Sequence, residues 1–225
     1  MMVNEKISVQ ERAIAGIIDG LFGLALGLGA FSLTSFPLRE LSDVFDAIFF
    51  FGVTYIFIIV AWIILSQFYE ELPLTGAKLA RLDMLIIFLV ILSPFLMRTL
   101  WTPSLQSIGS IFFSIEMSVI FMALGVMYQA YIGRNCKKLG GKVCAKLRAE
   151  RNVQFIVSII LLFLGLLSTI SHLERDVPFL SGFVDYFSSL TGREKLLLWP
   201  LSFVIGGLYY AVAIYRVRKR GPPGV

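Results

Sequence analysis

The chain has 225 residues, 57% of them hydrophobic and only 16% charged, with a net charge of +5. Soluble domains carry about a quarter charged residues, so this composition, with a mean hydropathy of +0.83, excludes an ordinary soluble domain. It predicts an all-α integral membrane protein.

Six apolar stretches are marked by eye, at 13–35, 44–68, 82–101, 109–132, 153–172 and 197–215. A span needs about 20 apolar residues to cross roughly 30 Å of hydrocarbon, and every stretch reaches that length. The connections are too short to form separate cores. The expectation is one six-helix transmembrane domain over residues 1–225.

The first stretch is too long for a signal-peptide core and further spans follow it, so it reads as a retained helix. It carries two rows of residues. Gly16, Gly20, Gly23, Gly27 and Ala30 recur at alternating steps of four and three, which makes a continuous small-residue seam for helix packing. Ile17, Leu21, Leu24, Leu28 and Phe31 repeat the same spacing one residue on, forming a bulky row beside the seam. Around a symmetry axis the seam would pack between copies and the bulky row would form an apolar constriction that gates by dewetting. Packing within one subunit is the alternative.

Ionisable residues inside spans are costly and mark functional hypotheses. Asp19 lies in the first span, with Arg12 seven residues earlier on the same helix face, about 10.5 Å away by rise. Glu116 lies inside the fourth span, whereas Asp46, Asp83 and Arg98 sit near span ends. Asp19 and Glu116 read either as hydrogen-bonded packing residues or as transport carboxylates. Glu70 and Glu71 read as a solvated helix end.

Residues 133–152 read as a basic loop, with Arg134, Lys137, Lys138, Lys142, Lys146, Arg148 and Arg151. Fifteen of the 20 Lys and Arg fall on one side of a six-span arrangement, which places both termini and this loop in the cytoplasm. The loop lacks the interleaved aromatics of a nucleic-acid surface, so no nucleic-acid partner is expected; contact with anionic membrane lipids remains an option. Cys136 and Cys144 lie in the same loop, and a cytoplasmic pair is expected to stay reduced.

Catalytic signatures are missing. His172 is the single histidine, no G-x-S-x-G, P-loop, G-x-G-x-x-G or TVGYG-like filter occurs, and no span repeats arginines at every third position. The expectation is neither an enzyme nor a cofactor or metal protein. Conduction, transport and scaffolding remain.

Arg12, Asp19, Gly20, Phe22 and Ala25 open the chain in a recognisable order. Trp62 precedes Asp83 by 21 residues, and Asp83 precedes the Pro94-Phe95 pair by eleven. In these positions the first hundred residues or so resemble the prokaryotic relatives of the endolysosomal potassium channel, transmembrane protein 175. That family has Phe-Ser where this chain has Ile17-Ile18, asparagine at Asp83, and a histidine pair at Leu65 and Ser66. The resemblance implies a homotetramer in a prokaryotic plasma membrane, passing potassium or other monovalent cations through a pore lined by the first helices. It places the gate at Leu24, Leu28 and Phe31 and a pore-helix network at Arg12, Asp19 and Gly20. The family's hydroxyl positions fall on Gly23 and Gly27, which offer no side-chain oxygen, so weak ion selectivity is expected. Two alternatives stand beside this reading: a proton-coupled or small-solute transporter using Asp19 and Glu116, and a non-conducting scaffold.

Overall fold

The structure, a computed structural model, describes residues 9–33, 40–71, 77–102, 105–170 and 192–220. Among these residues it is all helical: α1 Val9–Leu33, α2 Leu41–Glu71, α3 Ala77–Trp101, α4 Gln106–Leu139, α5 Gly141–Ile170 and α6 Gly192–Arg220. In lipid every backbone N–H and C=O must find a partner within its own segment, and a helix achieves that. Side-chain hydroxyls obey the same demand: Thr54 donates to the Phe50 carbonyl at 2.8 Å and Ser93 to the Leu89 carbonyl at 3.1 Å.

Four helices contain stretches long and apolar enough to cross a membrane: Asp43–Ser66, Arg81–Leu100, Ile108–Leu139 and Gly141–Leu166. The described apolar stretches of α1 and α6, Asp19–Phe31 and Leu201–Val217, are shorter. Packing concentrates in two units, the first comprising residues 1–80 and 87–95, the second residues 81–86 and 96–225.

In the first unit, α2 buries Ala47, Phe50, Thr54, Ile58, Ala61 and Leu65, a stripe with helical spacing of three and four. The buried face of α1 is Phe22, Ala25 and Gly29. At Gly29 the backbone comes close to its neighbours: a Cβ there would sit 3.6 Å from the Thr54 methyl and 3.9 Å from Pro94 Cγ. Pro94 lies inside α3 and removes one ladder donor, a loss tolerated in transmembrane helices.

The second unit is built on an α4–α5 hairpin, with α6 packed on α5. Side chains of neighbouring helices seat in single-glycine notches. The Phe155 ring lies where a Cβ on Gly125 would be 2.6 Å away, Ser114 faces Gly165, and Val153 and Val157 face Gly206. The Phe121 and Phe203 rings meet edge to face at 5.4 Å. Two hydroxyls join α4 to α5: Ser158 donates to the Ser118 carbonyl at 2.9 Å, and the two Oγ atoms lie 3.0 Å apart.

The basic segment 133–152 departs from the loop expected. Both helices run through it, and the chain turns at Gly140, whose φ of 74° favours a residue without Cβ. With 34 residues, α4 is about 51 Å long, well beyond the roughly 30 Å of hydrocarbon. The apolar run therefore marked membrane thickness and not helix length. The turn also overturns the expectation of two reduced thiols: Cys136 and Cys144 form a disulfide, their Cα atoms 5.4 Å apart, within the range such bridges need.

Candidate functional site

Helix α1 carries most of the residues singled out from the sequence. Its glycine row and Leu24, Leu28 and Phe31 lie on the side away from Phe22 and Ala25, which are buried, while Leu21 is half-buried. Leu24 is 51% exposed, Leu28 41% and Phe31 72%, so the bulky row is not core of a single subunit. The seam is open as well: a Cβ added at Gly16, Gly20, Gly23 or Gly27 meets nothing within 4 Å. The chain thus presents two adjacent, patterned rows outward along one helix.

Asp19 and Trp62 are the other element of this site. Trp62 Nε1 donates to Asp19 Oδ1 at 2.9 Å, which ties α1 to α2 through residues 43 positions apart in sequence. Sequence reasoning singled out both residues but did not pair them. The indole N–H can only donate, and a carboxyl oxygen of α1 gives it an acceptor across the α1–α2 contact. Trp62→Phe removes the donor and keeps most of the ring. Interhelical bonds of this type in membrane proteins are worth about 0.6 kcal/mol on average and up to about 1.7. We expect a fall in detergent melting temperature of a few degrees, with helical content unchanged; an unaltered melting temperature would remove this bond from the account.

The remaining residues fall elsewhere. Arg12 lies in α1 by its backbone, but its side chain is outside the described residues, as are His172 and the side chains of Glu70 and Glu71. Glu116 is 3% exposed and Asp83 is also buried; both belong to the second unit, whereas Asp19 is in the first. Leu65 is buried and Phe95 exposed within the first unit. Among the described residues no group of three His, Cys, Asp or Glu could hold a metal ion.

A polar relay in the second unit was missed. Arg151 of α5 donates to Gln129 of α4 and, at 2.6 Å and 3.0 Å, to Asn152 Oδ1. Asn152 Nδ2 then donates to the Tyr209 hydroxyl of α6 at 2.8 Å. Beside it, the next residue of α6, Tyr210, donates to Glu150 of α5 at 3.4 Å. The signal was present as an Arg-Asn pair entering an apolar run opposite a Tyr-Tyr pair, but the arginine was read as a topology marker and as part of a lipid-facing basic segment.

No family model, curated protein or solved structure matches this chain.

Proposed function

We propose that this protein is a passive cation channel, conducting potassium or weakly selective among monovalent cations. In this reading four copies assemble around α1, in a six-span arrangement with both termini in the cytoplasm of a prokaryotic cell. Leu24, Leu28 and Phe31 of each copy close the pore, Gly16, Gly20, Gly23 and Gly27 let the helices approach, and Asp19 with Gly20 and Arg12 holds α1 in place. The observation that carries the proposal is the outward exposure of the paired rows on α1. A glycine seam open along its whole length has a natural use in lipid, where close backbone approach supplies the van der Waals contact that drives helix association. A bulky row beside it then faces the axis, and a ring of apolar side chains gates by excluding water. The resemblance to relatives of transmembrane protein 175 supports the same assignment through Asp19, Trp62, Pro94 and Phe95. The test is potassium and sodium flux in liposomes, with the oligomer mass measured in the same preparation. A tetramer with passive flux is expected; a monomer without flux refutes the proposal.

A second reading, a proton-coupled or small-solute transporter, is favoured by the burial of Glu116 deep in α4. Buried intramembrane carboxylates are costly and occur on proton relays. Glu116→Gln preserves shape and removes the ionisable proton. On the transporter reading it abolishes pH-dependent, saturable solute uptake in a folded protein, whereas on the channel reading cation flux keeps its magnitude.

A further inference from the structure

The tip of the α4–α5 hairpin holds chemistry that neither reading uses. Cys136 lies in the last turn of α4 and Cys144 in the first turn of α5, with Gly140 between them. Their sulfurs are bonded to one another. The two differ in access: Cys136 is half-buried and Cys144 is buried at 5% exposure. The Arg148 guanidinium comes to 4.0 Å from Cys136 Sγ. Lys137, Lys138 and Lys142 are exposed around the turn, while Lys146 pairs with Glu150 at 3.5 Å. The charge pattern places this basic tip in the cytoplasm, where glutathione keeps structural disulfides from persisting and those that form are exchanging ones.

We propose that Cys136 and Cys144 are a thiol–disulfide exchange site that takes low-molecular-weight disulfides of the glutathione class. The proposal rests on the cytoplasmic placement of the hairpin but not on conduction. In the reduced protein Cys136, the more accessible sulfur, attacks as the thiolate, for which Arg148 supplies a counter-charge. An S–S bond of the small disulfide breaks as the Cys136–small-thiol bond forms, and one small thiolate leaves and takes up a proton. Cys144 then loses its proton and attacks Cys136 Sγ, expelling the second small thiol. The sum is one protein dithiol oxidised to a disulfide and one small disulfide reduced to two thiols. Gly140 lets the two helix ends meet at the 5.4 Å Cα separation the bond requires. Oxidation ties the end of α4 to the start of α5, and reduction frees the tip.

The full chain is tested in inside-out and right-side-out membrane vesicles, equilibrated in glutathione buffers and treated with a membrane-impermeant maleimide-polyethylene glycol. Inside-out vesicles are expected to show two mass additions in reducing buffer and none in oxidising buffer. Cys144→Ser is expected to retain one glutathione on Cys136, seen by mass spectrometry. Arg148→Gln is expected to slow oxidation by about threefold, since losing the cation lowers the thiolate fraction while making the remaining thiolate more nucleophilic. Two free thiols at every glutathione ratio, or a bridge that glutathione never opens, overturns the exchange site. Labelling confined to right-side-out vesicles overturns the cytoplasmic placement instead, so the two failures are distinguishable.

Discussion

Replacing Leu28 with Ser is expected to raise basal cation flux roughly thirtyfold. A closed apolar constriction blocks ions because water inside it lacks hydrogen-bond partners, so the ion would have to enter unsolvated. Each serine hydroxyl offers water one partner, worth about 1 kcal/mol net. In a fourfold ring four such hydroxyls face the axis. If half of them are engaged at once the barrier falls by about 2 kcal/mol, which is roughly thirtyfold in rate. Leu28 is the position of choice, because it is the middle one of the three and is 41% exposed in the subunit, so the substitution removes little packing from its own chain. The measurement is potassium flux from liposomes, with wild type and variant matched for oligomer mass and melting temperature. Unchanged flux from an intact tetramer would take Leu28 out of the gate.

The sequence disclosed some parts of this molecule better than others, for reasons specific to lipid. In α1 the small and bulky rows stand out because glycine and leucine differ in size, and a period of three and four is visible in size as well as in polarity. The buried stripe of α2 was not visible. Ala47, Phe50, Ile58 and Leu65 are buried while Ile48, Phe49, Ile56 and Ile63 are exposed, and with apolar residues on every side no hydrophobic pattern separates the two sets. Helix length was hidden for a related reason, since the run of apolar residues stops where the hydrocarbon stops, whereas α4 and α5 continue to a turn at Gly140. The pairing of Cys136 with Cys144 followed from that turn and was hidden with it. Asp19 was conspicuous as a charged residue in an apolar span and Trp62 through the resemblance alone, but their bond depends on how α1 and α2 are rotated, which periodicity within either helix does not encode.

Glycine replacements are expected to separate folding from assembly. The chain uses glycine in two ways. Gly125 and Gly165 are isolated in sequence, yet each receives a neighbour so closely that an added Cβ would lie 2.6 Å from the Phe155 ring or 2.7 Å from Ser114 Cβ. Gly23 and Gly27 belong to a repeating seam, yet an added Cβ there meets nothing within 4 Å. Gly125→Leu must push Phe155 out of its seat, and overpacking of this kind costs about 1–3 kcal/mol. Its melting temperature is expected to fall clearly, whatever the oligomeric state. Gly27→Leu has room within the subunit and replaces a poor helix former with a good one, a gain of up to about 1 kcal/mol. The subunit should therefore stay folded with full helical content, while a tetramer packed through the seam, as proposed, loses its close approach and dissociates. Circular dichroism and oligomer mass in detergent read the two effects independently. A Gly23→Leu, Gly27→Leu protein that remains a tetramer would show that the seam faces lipid, and the pore would then have to be sought on a helix other than α1.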